Sequence, residues 1–476
     1  MTNTHGIRLD VSGMLRRAVP SGVTPDELHA LAPRLATAHA AASAAVSDVA
    51  GDAADGGKLG FLQLEAQQPE RARVQSWARG EASRLDDVVI LGIGGSALGA
   101  VALRTALLAR DWNSWSVEAR GGRPRLHVLD NVDPRSVRAV LDGVHLPRAR
   151  FLVISKSGST AETMAQYLAV RERLRGASLA VREHLAFVTD PEKGVLRRIA
   201  AAEGIPAFSV PANVGGRFSV LSPVGTLPAA LLGLDVDALV AGAVAMRDRC
   251  AGGSLRTNPA LAFAALQWNA HTRAGQLMHV LMPYSDALRD LAPWFVQLWA
   301  ESLGKLTSDG RNVGPTPIAA VGATDQHAQV QLFMDGPADK TVTFIDVEEH
   351  PDELTIPGAD TAGARVPSEL AYLGGHGFGE LLRLEARATA GALARAGRPT
   401  MTLRVAGADA WHLGGLFMLF ELATIYAGQL YGVDPLDQPG VELGKQLTYC
   451  HLGHPDWQKM RDVWDSLPAS DPDWVL

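Results

Sequence analysis

The chain has 476 residues, of which 47% are apolar and 20% are charged, and its formal net charge is −7. This length predicts two domains with connecting elements, and this composition is typical of a soluble globular protein. Nucleic acids and anionic membranes attract basic surfaces, so we expect neither as a partner. Cys250 and Cys450 lack the spacing of a disulfide framework or a metal site, which favours a reducing, cytoplasmic compartment.

The predicted elements change character along the chain. Residues 1–50 are Ala-rich and are predicted to be helical, and from about residue 85 short β-branched runs alternate with amphipathic stretches. This alternation is typical of parallel sheets covered by helices on both faces. The apolar stretch 416–433 contains Glu421 and other polar residues, so we predict a buried core helix rather than a membrane span. The predicted strands are 88–94, 126–131, 151–156, 185–190 and 207–211, followed by 278–284, 317–322, 341–347 and 401–406.

These elements predict an α/β fold with two doubly wound parallel sheets. A cluster of Gly252, Gly253, Asn258 and Pro259 marks the break between the two strand series. In doubly wound sheets, ligands bind at the carboxyl ends of the strands, where loops lead into helices. The predicted divisions are a helical segment at 1–50, α/β domains at 51–245 and 246–430, and a tail at 431–476.

Two loops at predicted strand ends are rich in glycine or serine. Residues 92–96 (GIGGS) allow close backbone approach to a ligand, and Ser96 precedes a helix whose N-terminus favours an anion. Residues 155–160 (SKSGST) place four hydroxyls between a strand and a helix. One hydroxyl is enough to cap that helix, with Glu162 in its first turn, and capping is the alternative interpretation. Four hydroxyls favour anion binding.

The first loop also fits the dinucleotide fingerprint G-x-G-x-x-A through Gly92, Gly94 and Ala97. A nicotinamide site needs an acidic residue about 20 positions later, at the end of the next strand. Asp130 is the next acidic residue at a strand end, and it comes 36 residues after Gly94. A phosphomonoester can use both loops, so we favour a phosphate site and keep a nicotinamide-dependent dehydrogenase as an alternative.

Two candidate proton-transfer residues lie in the second half of the chain. Gln297 and Glu301 share one face of a predicted helix, and Glu301 is a candidate base on a rigid element. The alternative is an exposed helical ion pair between Glu301 and Lys305. His327 is predicted to open a helix after strand 317–322, where it is either an acid–base residue or a surface histidine.

Two cations are further candidates. Arg217 follows a Gly-Gly turn and precedes a predicted helix start at Ser222 and Pro223, and the alternative is a solvated loop arginine. Lys445 lies near the end of the chain, where the alternative is a surface lysine. Each residue alone is weak support for a function.

Together, six segments in order resemble the glucose-6-phosphate isomerase family, which belongs to the sugar-isomerase (SIS) domain superfamily. The resemblance covers about residues 85–450 and implies two SIS-type, flavodoxin-like domains. It also implies reversible isomerisation of glucose 6-phosphate and fructose 6-phosphate through a cis-enediol, without a cofactor or metal. The segments are 92–96 (GIGGS), 155–160 (SKSGST), 215–217 (GGR), 301–305 (ESLGK), 325–327 (DQH) and 441–445 (VELGK).

The resemblance implies a role for each matching residue. Glu301 would carry the proton between C2 and C1, and Arg217 would stabilise the enediolate together with Gln297. His327 and Lys445 would assist ring opening, with His327 lent by the second subunit of a homodimer. The implied substrate-binding residues are Gly95, Ser96, Ser155, Lys156, Ser157, Thr160, Gln297 and Gln438.

Two departures from the family leave the substrate preference open. Leu303 stands where many members have Asn, and residues 157–159 are Ser-Gly-Ser where longer members have Thr-Phe-Thr. An isomerase that also accepts mannose 6-phosphate is therefore an alternative. A non-catalytic sugar-phosphate sensor is another, although residues 1–85 contain no clear basic helix-turn-helix.

Overall fold

Two five-stranded sheets and their covering helices dominate the computed structural model, which describes residues 6–47, 57–358 and 367–476. Every predicted strand overlaps an observed strand, and 278–284 has the predicted bounds. The strands are β1 (Ile7–Asp10), β2 (Asp87–Leu91), β3 (Arg125–Leu129), β4 (Ala149–Ile154), β5 (Leu185–Thr189), β6 (Ala207–Ser209), β7 (Met278–Tyr284), β8 (Lys305–Leu306), β9 (Asn312–Val313), β10 (Thr316–Ala319), β11 (Lys340–Val347) and β12 (Thr400–Val405).

The α-helices cover both sheets and extend into the predicted C-terminal tail. They are α1 (Pro25–His29), α2 (Ala32–Ser47), α3 (Gln68–Glu81), α4 (Leu98–Leu107), α5 (Pro134–Gly143), α6 (Ala161–Gly176), α7 (Val181–His184), α8 (Val195–Glu203), α9 (Pro223–Leu231), α10 (Val236–Arg249), α11 (Pro259–Ala274), α12 (Leu291–Leu303), α13 (Val330–Asp335), α14 (Phe378–Arg395), α15 (Ala410–Tyr431), α16 (Glu442–His451) and α17 (Arg461–Asp465).

The first sheet is fully parallel, in the order β3-β2-β4-β5-β6. This is the flavodoxin-like order, in which the direction of winding reverses between the first and third strands of the series, here β2 and β4. These two strands pair with Leu91 opposite Val153, so the loops that follow them emerge side by side. All residues of β2 and β4 are buried, which explains their continuous apolar runs.

The second sheet has the order β1-β12-β11-β7-β10 and is parallel except for β1. The prediction that residues 1–50 are helical is therefore wrong at Ile7–Asp10, which pairs antiparallel with β12 at the sheet edge. Ile7 is buried and Arg8 is exposed, a two-residue alternation too short to stand out beside the Ala-rich segment. The predicted doubly wound α/β fold is otherwise confirmed.

The two sheets share one large apolar core. This core contains Leu152 of the first sheet and Ile345 of the second, and α10 packs against α15. The predicted boundary at 245/246 falls within α10, and the loop with Gly252 and Gly253 follows that helix. The predicted boundary at 50/51 lies outside the described residues. The domain limits remain predictions.

Helix α15 contains most of the long apolar stretch noted in the sequence. Within the described ranges it is the one helix long and apolar enough to cross a membrane by length and composition. In its most apolar window, 94% of the residues are buried inside the protein. The predicted core helix is confirmed.

Candidate active site

The loop after β4 forms a compact cluster of hydroxyls. The buried Ser155 Oγ lies 3.0 Å from Thr160 Oγ1 and accepts a hydrogen bond from the Gly158 N–H at 3.2 Å. Ser157 Oγ accepts hydrogen bonds of 3.3 Å from the backbone N–H and the hydroxyl of Ser159. Several hydroxyl oxygens are thereby held close together directly ahead of α6.

The capping interpretation of this loop is wrong. Thr160 occupies the N-cap position of α6, yet its side chain makes no capping hydrogen bond. Helix α4, which follows the 92–96 loop, also begins without a side-chain cap. Helix N-termini without side-chain caps carry N–H groups and a positive dipole end that suit an anion. Two such ends start at the point where the winding of the sheet reverses.

Lys156 lies in the same loop but its ammonium has protein partners. Nζ donates to the carbonyls of Ala212 and Val214, both at 2.8 Å. Burial lowers the pKa of Lys156 below its usual value, and the nearby charge of Asp190 opposes this shift. An ammonium has three N–H donors, so one remains for a ligand. Lys156 therefore also holds the segment that leads to Arg217.

Glu301 lies in the last turn of α12, which buries Trp294, Phe295 and Leu298 against the core. Its Oε1 accepts a hydrogen bond from Gln297 Nε2 at 3.0 Å, one helical turn away. Its Oε2 lies 3.5 Å from Arg217 Nη1, and 34% of the side chain is exposed. The carboxylate is thus held at both oxygens while it remains open to a ligand.

The alternative of an exposed Glu301–Lys305 pair is wrong. Lys305 follows the end of α12, where the helix no longer keeps i,i+4 neighbours on one face. Its ammonium donates instead to the carbonyls of Asp434 and Asp437 and to the Asp437 carboxylate. The side chain of Lys305 is 6% exposed.

Arg217 is a buried cation and not a solvated loop residue, because its side chain is only 3% exposed. Nε donates to Ser302 Oγ at 2.7 Å, and Nη1 donates to Gln438 Oε1 at 2.9 Å. Nη2 donates to the carbonyls of Pro435 and Asp437. Burial lowers the pKa of Arg217 from its usual value, and Glu301 is the largest opposing charge.

The glycine loop at 92–96 meets the side chains around Glu301 at two glycines. Gly94 has a φ of +57°, and a Cβ there would lie 2.7 Å from Gln297 Nε2. A Cβ on Gly95 would collide with the carbonyl of Gly216, which precedes Arg217. Gly95 and the turn with Arg217 are therefore in close contact, and glycine alone permits this approach. The structure thus brings the 92–96 loop together with Gln297 and Arg217. The 155–160 loop emerges beside the 92–96 loop, because it follows β4, which pairs with β2.

His327 and Lys445 make no recorded contact with Glu301 in the part of the chain that the structure describes. His327 is exposed at the end of a short 3₁₀ turn, and the prediction that it opens a helix is wrong, because α13 begins at Val330. Lys445 is exposed on α16, with Nζ 2.9 Å from Glu442 Oε1. Among the residues that the structure describes, no hydrogen bond or ion pair connects either side chain to Glu301.

Sequence reasoning missed several contributors to this site. Ser302 and Lys305 lie inside the matching segment 301–305, and Asp437 immediately precedes Gln438, so proximity to a motif was the available signal. Leu303 is completely buried in the core. Leu303 therefore packs in the core and does not face solvent beside the Glu301 carboxylate.

Comparisons with known proteins agree with this geometry. Residues 61–469 match the phosphoglucose isomerase family. The chain is 44% identical over 445 residues to glucose-6-phosphate isomerase of Rubrobacter xylanophilus, covering 92% of this chain and 97% of that protein.

Solved structures give the same result for the fold. A protein of Thermus thermophilus described as hypothetical superposes with a TM-score of 0.82 at 36% identity, over 94% of this chain and 100% of that one. A Chlamydia trachomatis glucose-6-phosphate isomerase shares the fold, with a TM-score of 0.69 at 24% identity over 84% of this chain and 77% of that one. The chain belongs to the phosphoglucose isomerase family, as its six ordered segments predicted.

Proposed function

We propose that this chain interconverts glucose 6-phosphate and fructose 6-phosphate, with Glu301 as the base that carries the proton between C2 and C1. Family membership supports the reaction. The observation that carries the residue assignment is the contact of the Gln297–Glu301–Arg217 cluster with the glycine loop at 92–96. A substrate whose phosphate lies at the two helix N-termini would present its carbonyl end to Glu301.

The phosphate end is bound by groups that do not react. Gly95, Ser96, Ser155, Ser157 and Thr160 offer hydroxyls and backbone N–H groups around the two helix starts. Lys156 adds one free donor and positive charge. Binding energy from this remote end orients the sugar and supports catalysis at the other end.

The chemistry begins with opening of the sugar ring. A proton leaves O1 and a proton is delivered to O5, a transfer that we assign to His327 with the help of Lys445. Glu301 then removes the C2 proton, and the electrons of the C2–H bond form the C1–C2 double bond of the enediolate. Glu301 returns the proton to C1 while a proton moves from O2 to O1, so the product is an isomer of the substrate.

Arg217 has the geometry to stabilise the enediolate. A proton next to a carbonyl is only weakly acidic, so its removal requires positive charge already aimed at the developing oxyanion. Most of the Arg217 donors are fixed by Ser302, Gln438 and the carbonyls of Pro435 and Asp437. The remaining Nη1 hydrogen faces the region of Glu301. Gln297 holds the carboxylate in position, and Gln438 lines the site.

We further propose a homodimer in which His327 completes the site of the second subunit. Helix α12 leaves the carboxyl edge of the second sheet after β7, and the ten helical steps from Leu291 to Glu301 carry the base back by about 15 Å. His327 follows β10 at that carboxyl edge. This separation within one protomer, together with the exposure of His327, supports a contribution across an interface.

The rival functions make different demands on the residues. A sugar-phosphate sensor needs the phosphate loops but has no use for a carboxylate held between Gln297 and Arg217. A nicotinamide-dependent dehydrogenase has no use for the hydroxyl cluster. Acceptance of mannose 6-phosphate is compatible with the same base and is decided by assay. We also propose a cytoplasmic location, which the two free, buried cysteines support.

Substitution Glu301→Gln tests the proposed function. Fructose 6-phosphate should still bind, while kcat should fall by about 10²- to 10⁴-fold, the usual contribution of a general base. Exchange of the C2 proton with solvent deuterium should fall equally. Glu172→Gln, an exposed change on α6, is the control and should leave both rates unchanged. Retained turnover in the Glu301 variant would remove that residue from the mechanism.

A further inference from the structure

Lys305 is a buried cation to which the proposed phosphate binding and proton transfers assign no role. It begins β8, directly after Gly304 ends α12, and it lies four residues beyond Glu301. Its backbone pairs with Val313 in the β8–β9 hairpin. Gly314 packs the other end of this hairpin against Leu303, since a Cβ there would lie 2.5 Å from the Leu303 carbonyl oxygen. Lys305 is therefore rigidly attached to the helix of the base.

The ammonium of Lys305 reaches the segment that carries Gln438, which we call the 434–438 strap. Nζ donates to the Asp434 carbonyl at 3.0 Å, and also to the carbonyl and the carboxylate of Asp437. These three acceptors match the three donors of an ammonium. No Lys305 donor is left for a substrate, so any effect on catalysis is indirect.

Arg217 binds the same strap through three hydrogen bonds. Nη2 donates to the carbonyls of Pro435 and Asp437, and Nη1 donates to Gln438. The Asp437 carbonyl thus accepts from both Lys305 and Arg217. The two cations meet at one oxygen, and the position of each depends on the strap that both hold.

We propose that Lys305 is a positioning residue for the isomerisation, one that fixes the strap so that Arg217 and Gln438 keep their orientation toward Glu301. This inference rests on the proposed roles of Glu301 and Arg217. Without the ammonium, the Asp437 carbonyl and carboxylate lose a partner and the strap is free to shift. Arg217 follows the strap because two of its donors are bound to strap carbonyls. Small displacements of catalytic groups are costly to the rate.

The direct test is Lys305→Met, which keeps the length and apolar stem of the side chain but removes the charge. We expect kcat with fructose 6-phosphate to fall about 10- to 100-fold, the usual cost of a displacement of about 1 Å. KM should change less than about twofold, because the phosphate loops are untouched. A purely structural role would reduce the active fraction in proportion to unfolded protein, so active-site titration and thermal unfolding are measured on the same sample.

Lys58 provides a matched control on the same strap. Its Nζ donates to Asp434 Oδ2 at 2.7 Å, but its side chain is 62% exposed. Exposed ion pairs contribute little, so Lys58→Met should keep kcat within about twofold of the wild type. A fall in kcat for Lys305→Met alone supports the proposal.

Asp437→Asn is the second variant, used where Lys305→Met does not fold. Its side chain is half exposed, and the change weakens one Lys305 contact while it keeps the backbone carbonyl. A several-fold lower kcat at constant KM supports the proposal. Unchanged kcat in a folded Lys305→Met protein, or in Asp437→Asn where it is the variant measured, overturns it. If Glu301→Gln is inactive while Lys305→Met is fully active, only this inference fails; if Glu301→Gln is active, the proposed function fails.

Discussion

Nη1 of Arg217 lies 3.5 Å from Oε2 of Glu301, in a site where the other guanidinium donors already have partners. At this distance a substrate oxygen can compete with the Glu301 carboxylate for the positive charge of Arg217. The carboxylate does not lose its position in that exchange, since Gln297 holds Oε1. This arrangement keeps the Glu301 carboxylate and the Arg217 guanidinium close without binding them tightly to each other.

Replacement of Arg217 by Lys should therefore reduce kcat while the protein still folds. Lysine keeps the charge but cannot reach Ser302, Gln438 and the strap carbonyls together, because its donors radiate from one atom. Loss of one preorganised oxyanion contact typically lowers kcat by about 10²- to 10³-fold. Steady-state kinetics with fructose 6-phosphate measures this. A change confined to KM would contradict the assigned role.

The hydroxyl loop at 155–160 gives a prediction about KM rather than about kcat. Ser157→Ala removes a hydroxyl that we assign to the phosphate, and a hydrogen bond to a charged group is worth about 1.5–3 kcal/mol, or roughly 10- to 100-fold in KM. The rate at saturation should change little. Ser159→Ala in the same exposed loop is the control and should leave KM within about twofold. Equal effects of the two variants would move the phosphate away from Ser157.

How far the sequence predicted this site depends on the range of each interaction. The strands and the helix with Gln297 and Glu301 follow from local hydrophobic periodicity, which is a property of neighbouring residues. The partners of Lys305 and Arg217 lie 132 and 221 residues away in the chain, so no local pattern contains them. A local rule paired Glu301 with Lys305, whereas tertiary packing buries Lys305 on the strap. The same limit concealed β1, whose partner is β12.

The loss of folding stability at low pH should depend on Asp87 at the start of β2. Burial raises the pKa of Asp87, but hydrogen bonds from His127, Arg125 and the His145 backbone outweigh it and lower the pKa to about 2. Because the folded value is below the unfolded value of 3.8, this carboxylate stabilises the fold above pH 3.8 and that stabilisation is lost as pH falls toward 2. The shift corresponds to about 2 kcal/mol.

Urea unfolding of Asp87→Asn measures this contribution. At pH 7 the variant should unfold at lower urea than the wild type, and the difference should shrink as the pH falls through 3.8. Asp142→Asn, which removes an exposed pair with Arg173, should change the midpoint little at any pH. A constant difference between Asp87→Asn and the wild type across the pH range would contradict the assignment.

The proposed exchange of His327 between subunits predicts complementation of two defective variants. Glu301→Gln and His327→Ala homodimers each lack a required residue in both sites. In a mixed dimer, one site receives both substitutions and the other receives neither, provided that His327 acts across the interface. Random reassortment in a twofold dimer makes half of the molecules mixed, so about one quarter of wild-type activity should return.

A second mixture is the control for any activity gained simply because two variants are mixed. Glu301 and Arg217 are in contact within one chain, so mixed dimers of Glu301→Gln and Arg217→Lys contain one substitution in each site. This mixture should gain no activity beyond that of its components. Recovery of activity in both mixtures, or in neither, would show that His327 does not serve the second subunit's site. Recovery confined to the His327 mixture is the expected result, because the exposed loop after β10 and the base on α12 then belong to different protomers of one site.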